Sequence, residues 1–136
     1  AAMGIIPMDD DLNTYLVGQW RYPLNAYSWE IPMGGGQLDQ DLLGSAKREL
    51  LEETGITATR WQELSKVHLS NSVSDEVGYI YLAKGLTFGA TQFDESEDLM
   101  IKKLPLKKAI EMCLEGSITD SLSLIGLLKL ARTYSF

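Results

Sequence analysis

The stretch from Gly34 to Ile56, "GGGQLDQDLLGSAKRELLEETGI", constrains the fold more than any other part of the chain. It begins with three consecutive glycines and later places Glu49, Glu52 and Glu53 at helical spacing. Residues at positions i, i+3 and i+4 lie together on a helix, so these three carboxylates are predicted to share one face. Like charges at this spacing cost roughly 0.2–0.5 kcal/mol per pair in solvent. The pattern therefore predicts a helix with an acidic face that needs an explanation.

The ends of this helix are marked in the sequence. Asp41 is a predicted N-cap, and Gly55 stands where a left-handed residue commonly ends a helix. Leu43, Ala46 and Leu50 form an apolar stripe beside the acidic face. We therefore expect the helix to pack on a sheet through that stripe.

Two interpretations of the acidic face are possible. It is either a solvated surface or a site where carboxylates gather around a cation. Arg48 lies one turn before Glu52 and can pair with it, whereas Lys47 points elsewhere. The preceding glycines let backbone approach a ligand closely, and clustered carboxylates suit hard divalent cations such as Mg²⁺.

The rest of the chain alternates predicted strands and helices. Strands are predicted at "MGIIPM", "TYLVGQW", "YSWEIP", "QELSKVHLS", "VGYIYLA" and "LMIKKL", and a polar, acidic loop at "LTFGATQFDESED". "LKKAIEMCLEG" predicts a helix ended by Gly116, and Asp120 is predicted to cap a last helix, "SLSLIGLLKLAR". The apolar stripe of that last helix is predicted at Leu124, Ile125, Leu128 and Ala131. Strands interleaved with helices predict an α/β or α+β fold.

Length and charge limit the remaining possibilities. The 136 residues fit a single domain over residues 1–136. A net charge of −7 argues against nucleic acid as a partner, and no apolar run is long enough to suggest a membrane span. The single cysteine, Cys113, is predicted to be a core thiol and fits a cytoplasmic location.

The glycine and glutamate pattern resembles the signature of the Nudix hydrolases. Eight of the nine fixed positions of that signature match with the correct spacing, namely Gly34, Arg48, Glu49, Leu50, Glu52, Glu53, Gly55 and Ile56. Gln40 stands at the ninth position, where the family carries glutamate. The resemblance implies an α/β/α sandwich with a mixed β-sheet, in which the signature forms a loop–helix–loop.

Further segments are similar to the branch of that family that contains ADP-ribose pyrophosphatases. They are "QWRYP", "WEIPMGG", "DESEDLMI" and "EGSITDSLSLIGLLKL". The resemblance implies Mg²⁺- or Mn²⁺-dependent hydrolysis of the diphosphate bond of nucleoside diphosphate sugars, such as ADP-ribose and ADP-, GDP- or UDP-hexoses. It also implies a homodimer that binds a small-molecule substrate.

The same resemblance suggests roles on the metal side of the site. Glu49 and Glu53 would be direct metal ligands, and Glu52 a ligand or a close partner. The Met33 backbone carbonyl would be a further ligand, and Arg48 would orient a glutamate.

The general base and the substrate contacts are expected elsewhere in the chain. We assign Glu95 as the base and Glu97 as a metal ligand, with the reverse assignment left open. Arg21 is expected to bind a phosphate or the sugar, because a guanidinium suits bidentate contacts to oxygen. Glu30 is expected to bind substrate or to hold Arg21. Ser72, which stands beside Asn71 where the branch often has proline, is expected to contact sugar hydroxyls.

Two other functions stay under consideration. One is a pyrophosphohydrolase of nucleoside triphosphates or capped RNA. The other is a non-catalytic Nudix domain that senses nucleotides, for which Gln40 is the supporting feature. The retained glutamates oppose this second alternative, and Asp39 and Asp41 could partly replace the charge that Gln40 lacks.

Overall fold

The computed structural model describes residues 1–38, 40–89 and 100–134. The strands are β1 (Ala2–Pro7), β2 (Asn13–Arg21), β3 (Ala26–Glu30), β4 (Met33–Gly35), β5 (Ile56–His68), β6 (Val77–Phe88) and β7 (Met100–Pro105). The helices are α1 (Leu42–Thr54), α2 (Leu106–Glu115) and α3 (Ser121–Thr133), and a short 3₁₀ turn covers Tyr22–Leu24. The predicted mixture of strands and helices is confirmed. None of the helices in these ranges combines the length and the apolar character needed to cross a membrane.

The strands form two sheets. The larger sheet has the order β4-β1-β6-β5 and is mixed, because β1 pairs parallel with β6 and antiparallel with β4. The smaller sheet, β3-β2-β7, is antiparallel. An isolated bridge between Met8 and Thr14 joins the ends of β1 and β2. The mixed sheet that the sequence resemblance implied is therefore present.

Side chains of the larger sheet alternate between two cores. Successive residues of a strand point to opposite faces, and Ile5 belongs to the cluster that contains Ala46 and Leu50 of α1. Ile6, the next residue, belongs to the cluster formed with α2 and α3. The sheet therefore lies between α1 on one face and the other two helices on the opposite face, which is the expected α/β/α arrangement.

The predicted helix ends are confirmed. The carboxylate of Asp41 accepts a backbone N–H in the first turn of α1, and Gly55 ends that helix in the left-handed conformation at φ 73°. Gly116 ends α2 in the same conformation at φ 90°. Asp120 caps α3 in the same way as Asp41 caps α1.

The strands differ from the prediction in several places: β4 was not predicted, β3 ends before Ile31, and two strands are longer than predicted. β5 begins at Ile56, directly after the cap of α1, and β6 extends to Phe88, through residues predicted to be loop. The two extensions pair with each other, Ile56 opposite Phe88. Each segment is therefore stabilised by a partner that is distant in sequence. Residues 90–99, which carry the acidic part of the predicted loop, lie outside the described residues.

The predicted apolar stripe of α3 is only partly correct. Ile125 and Leu128 remain 37% and 38% exposed, while Leu124 and Ala131 pack partly against the core. The helix approaches the sheet closely at Gly126, where an added methyl group would lie 2.8 Å from Ile6. As a result, the face of α3 that contains Gly126 is the one buried against the sheet. The buried residues of α3 are Leu122, Ser123, Gly126, Leu127 and Leu130.

Cys113 lies in the core beside α3, as predicted. It is a free, buried thiol among apolar residues of α2. Burial raises the pKa of this thiol to about 11. It is therefore protonated at neutral pH and acts as a small apolar side chain.

Candidate active site

The glycine-rich segment and helix α1 meet in direct contact. Gly34 lies in β4, and a methyl group there would lie 2.3 Å from Cδ of Glu49 and 2.7 Å from its Oε2. No side chain fits in that space without moving the glutamate. Glycine at position 34 thus lets a carboxylate of α1 rest against the strand, whereas the sequence predicted close approach of a ligand, which stays a prediction.

Glu53, one turn further along α1, faces the same strand. Its Oε2 accepts a hydrogen bond from the backbone N–H of Met33 at 3.3 Å. Burial, with smaller contributions from the negative charges of Glu49 and Glu30, raises the pKa of Glu53 to about 7. The hydrogen bond from Met33 and the charge of Arg21 act in the opposite direction. The structure therefore concentrates negative charge beside β4.

The other two charged residues of the signature are more exposed. Glu52 is exposed on α1, so its role as a metal ligand or partner stays a prediction. Arg48 donates from Nη2 to Oγ of Ser45 at 3.0 Å. The ion pairs described include Arg21–Glu30 and Lys108–Glu111, and the predicted pairing of Arg48 with Glu52 stays a prediction.

Arg21 and Glu30, the last residues of β2 and β3, form a two-pronged ion pair along the β2–β3 hairpin. Nε donates to Oε2 at 3.0 Å, and Nη2 donates to Oε1 at 2.6 Å. The glutamate side chain is 4% exposed and that of the arginine 37%. The hydrogen bonds that Arg21 donates to Glu30 raise the pKa of Arg21 above its usual range. Of the two predicted roles of Glu30, holding Arg21 is thus visible in the structure.

A cavity of ≈ 410 Å³, which we call the Arg21 cavity, opens beside this ion pair. Arg21 interacts electrostatically with Asp120, which also lines the cavity, and with Glu53 of α1, which does not. Tyr22, in the 3₁₀ turn, is 84% exposed. The walls come from the β2–β3 hairpin and from the start of α3: Arg21, Pro23, Leu24, Ser28, Glu30, Thr119 and Asp120.

The cavity walls include residues that the sequence analysis did not assign to the site. Asp120 was predicted only as a helix cap, and Thr119 and Ser28 were not singled out. The one signal for Asp120 was its place in the segment "EGSITDSLSLIGLLKL". Hydroxyls and a carboxylate there give the cavity polar groups beside the cation of Arg21.

Other predicted site residues lie apart from the cavity or outside the described residues. Ser72 is exposed on the turn between β5 and β6, and no residue of that turn lines the Arg21 cavity. Gln40 is exposed, and its backbone N–H is bonded to the Gln37 carbonyl. Glu95 and Glu97 fall within residues 90–99. The roles of these four residues stay predictions.

Some of the predicted metal ligands lie among the described residues, and others do not. Within residues 1–38, 40–89 and 100–134, no three Asp, Glu, His or Cys side chains are grouped as a metal site would require. Glu49 and Glu53 both face β4, but the predicted ligand Glu97 lies outside these ranges.

Comparison with known proteins agrees with this geometry. Residues 1–116 match the NUDIX domain. An ADP-ribose pyrophosphatase of Mycobacterium tuberculosis (strain ATCC 25618 / H37Rv) is 34% identical over 134 residues, which cover 93% of this chain and 63% of the relative. A methanol dehydrogenase activator of Bacillus methanolicus is 32% identical, over 92% of this chain and 69% of the relative. This chain thus spans roughly two thirds of each of these two relatives.

A solved structure shows the same fold. The crystal structure of an ADP compounds hydrolase superimposes with a TM-score of 0.85 at 22% sequence identity. The match covers 98% of this chain and 72% of the other.

Proposed function

The chain belongs to the NUDIX family, and from this premise we propose that it hydrolyses the diphosphate bond of nucleoside diphosphate sugars. Water would attack one phosphorus atom, the bond to the bridging oxygen would break, and a nucleoside monophosphate and a sugar phosphate would leave. ADP-ribose and ADP-, GDP- and UDP-hexoses are the proposed substrates. The name of the mycobacterial relative supports ADP-ribose as one of them.

One observation carries this proposal. Glu53, a carboxylate of α1 that faces β4, interacts electrostatically with Arg21, a cation that lines the cavity and is held by the buried carboxylate of Glu30. A diphosphate substrate has two needs. Its negative oxygens require cations, and its cleavage requires an activated water. A sugar needs polar cavity walls, which Thr119 and Asp120 supply.

NUDIX hydrolases generally use divalent metal ions, and the residues present fit such an ion. Glu53 has a raised pKa because it is buried near another carboxylate, and a nearby cation would relieve that cost. The donors are all oxygen atoms, which suits Mg²⁺ or Mn²⁺. We propose that Glu49 and Glu53 hold the ion, together with Glu52, the Met33 carbonyl and Glu97. A bound ion would lower the pKa of a water molecule and neutralise phosphate charge.

The chain's own groups would orient the substrate and move the proton. Glu30 occupies two N–H groups of Arg21, and a guanidinium has five. The remaining N–H groups are available to phosphate or sugar oxygens in the Arg21 cavity. Glu95 is the proposed base that accepts the proton of the attacking water, and Glu97 is the alternative. Arg48, which donates a hydrogen bond to Ser45 in the first turn of α1, would orient a glutamate.

The substrate class is tested by comparing kcat/KM side by side for ADP-ribose, ADP-glucose, GDP-mannose, dGTP and a dinucleoside polyphosphate. Each assay contains Mg²⁺ or Mn²⁺. We expect the sugar nucleotides to exceed dGTP by at least ~10-fold, or about 1.4 kcal/mol, because dGTP carries no second sugar beyond its phosphates that could bind the polar cavity walls. If dGTP or the dinucleotide is the best substrate, the proposed substrate class is wrong.

Arg21→Lys serves as a matched variant, since lysine keeps the charge but cannot form the two-pronged contact. We expect a higher KM for the sugar nucleotides in this variant.

Light scattering would test the predicted homodimer.

A further inference from the structure

Residues 31–33, the short connection between β3 and β4 together with the first residue of β4, are held from several sides. We call them the linking segment. Pro32 accepts a hydrogen bond through its carbonyl from the backbone N–H of Ile5 in β1, at 2.8 Å. Met33 donates its N–H to Glu53 of α1. The linking segment therefore connects the larger sheet to the helix that carries the carboxylates.

The third attachment comes from helix α3. The backbone N–H of Ile31 donates to Oγ of Ser123 at 3.0 Å, across 92 residues of sequence. Both residues are completely buried. No water can replace this bond unless the core opens, so the Ile31 N–H depends on one hydroxyl.

The orientation of that hydroxyl is fixed by the cap of α3. Oγ of Ser123 donates to Oδ2 of Asp120 at 2.8 Å. Oδ2 of Asp120 also accepts the backbone N–H of Ser123 at 3.0 Å. Because the proton of the hydroxyl points to a carboxylate, its lone pairs are left for Ile31. A bond to an ionised acceptor also polarises the hydroxyl and strengthens it as an acceptor.

The linking segment lies between the two halves of the candidate site. Glu30, which holds Arg21, comes directly before it, and Gly34, which touches Glu49, comes directly after it. A shift of this segment would therefore displace the partner of Arg21 and the contact surface of Glu49 together. Reaction rates depend steeply on such positions, and a displacement of about 1 Å can cost ~10²-fold.

We propose that Ser123 is a positioning residue for the active site. It connects the cap of α3 to the linking segment and so fixes Glu30 and Gly34 relative to each other. The catalytic consequence rests on the proposed function, whereas the attachment of the segment does not. The alternative is that the hydrogen bonds of Ser123 stabilise the start of α3 and have no effect on the active site.

The test compares Ser123→Ala with a matched control, Thr14→Val. Thr14 is also completely buried, and its hydroxyl donates to the Pro7 carbonyl at 2.7 Å, at the opposite end of β2 from Arg21. Both changes remove one buried hydroxyl and its hydrogen bonding, so both are expected to lower thermal stability. Only Ser123→Ala removes the acceptor of the Ile31 N–H.

Two measurements separate positioning from stability. Hydrogen–deuterium exchange should become faster at Ile31 and Met33 in Ser123→Ala and stay unchanged there in Thr14→Val. With ADP-ribose and Mg²⁺, kcat should fall ~10- to 100-fold in Ser123→Ala, with KM changed much less. Ser123→Thr keeps the hydroxyl and should recover both properties. Ser123→Cys, a similar-sized side chain that accepts weakly, replaces the alanine variant if that one folds poorly.

Unchanged exchange at Ile31 and Met33 in Ser123→Ala would overturn the proposal. Faster exchange with unchanged kcat would overturn its catalytic part, as would an equal loss of kcat in the Thr14→Val control. If the wild-type protein hydrolyses no sugar nucleotide, the proposed function fails, and exchange alone still decides whether Ser123 holds the linking segment.

Discussion

Helices α1 and α3 lie on opposite faces of the larger sheet, and both begin at an aspartate that accepts a backbone N–H. Asp41 is exposed, and its hydrogen bond stays within its own helix. Asp120 lines the Arg21 cavity and reaches the linking segment through Ser123. The comparison shows that the same capping interaction can be purely local or part of a site. What packs against the start of the helix decides between the two.

The two helices also supply different things to the candidate site. From α1 come the charges, because Glu49 and Glu53 face β4. From α3 comes mainly position, through buried hydrogen bonds to a segment that carries no charge of its own. Substitutions in the two helices should therefore have different effects on turnover and on stability.

The largest effect is expected where α1 supplies charge. Glu53→Gln keeps the shape of the side chain and removes its charge, so turnover should fall at least ~10³-fold, about 4 kcal/mol of transition-state stabilisation. Excess chelator should have a similar effect on the wild-type protein. Glu111→Gln is the control, since Glu111 lies half exposed on α2 and forms only a 3.9 Å ion pair with Lys108. Wild-type rates in Glu53→Gln would remove this glutamate from the mechanism.

The second effect is a pH dependence of stability that comes from α1. The pKa of Glu53 is about 7 in the folded protein, against 4.5 for an ordinary glutamate. Between these values the unfolded chain releases its proton first. The stability present below pH 4.5 is therefore lost as the pH rises through 7, by at most about 3 kcal/mol.

Urea unfolding in metal-free buffer at several pH values measures this loss. Gln at position 53 cannot ionise, so Glu53→Gln should lack this part of the pH dependence. Added Mg²⁺ should flatten the curve of the wild-type protein by stabilising the charged form. Parallel curves for the two proteins would show that Glu53 has an ordinary pKa.

The third prediction concerns the two caps directly. Asp41→Ala and Asp120→Ala each remove one capping bond and should each cost about 0.5–2 kcal/mol in the free energy of unfolding. Only Asp120→Ala should also lower kcat/KM, by ~10-fold or more, because its carboxylate belongs to the Arg21 cavity and orients Ser123. An equal loss of kcat/KM in Asp41→Ala would mean that the start of α1 contributes as much as the start of α3.

The smallest effect is expected at the departure from the family signature. Gln40 is exposed just before α1. Gln40→Glu should therefore keep activity within about tenfold, a change of at most about 1.4 kcal/mol. The added charge should shift the Mg²⁺ concentration that gives the half-maximal rate, which a metal titration measures. Activity that appears only in the variant would support the nucleotide-sensing alternative.

Local signals predicted α1 well and α3 less well. The ends of α1 follow from Asp41 and Gly55, whose effects act within a few residues of sequence. In α3 most positions are apolar, so periodicity alone could not identify the buried face. The space that Gly126 leaves against Ile6 settles it, and that space exists only in the folded protein.

The site shows the same limit. Arg21 and Glu30 were both predicted as site residues, but their ion pair depends on how β2 and β3 pair. The hydrogen bond between Ser123 and Ile31 joins residues 92 positions apart, and no local sequence feature of either residue predicts it. Chemistry carried by a continuous motif could be predicted from the sequence, whereas support that comes from a distant segment could not.

Gly34 has a consequence for how proteins of this kind can change over time. Its backbone does not have a positive φ, so alanine is excluded there only by the Glu49 side chain. A glycine codon becomes an alanine codon through a single nucleotide change. That change would move one carboxylate while leaving every charge and the cavity walls in the sequence. If Glu49 holds the metal ion as proposed, a single mutation would abolish catalysis and keep the cavity, which offers a short evolutionary route from a hydrolase to a nucleotide receptor.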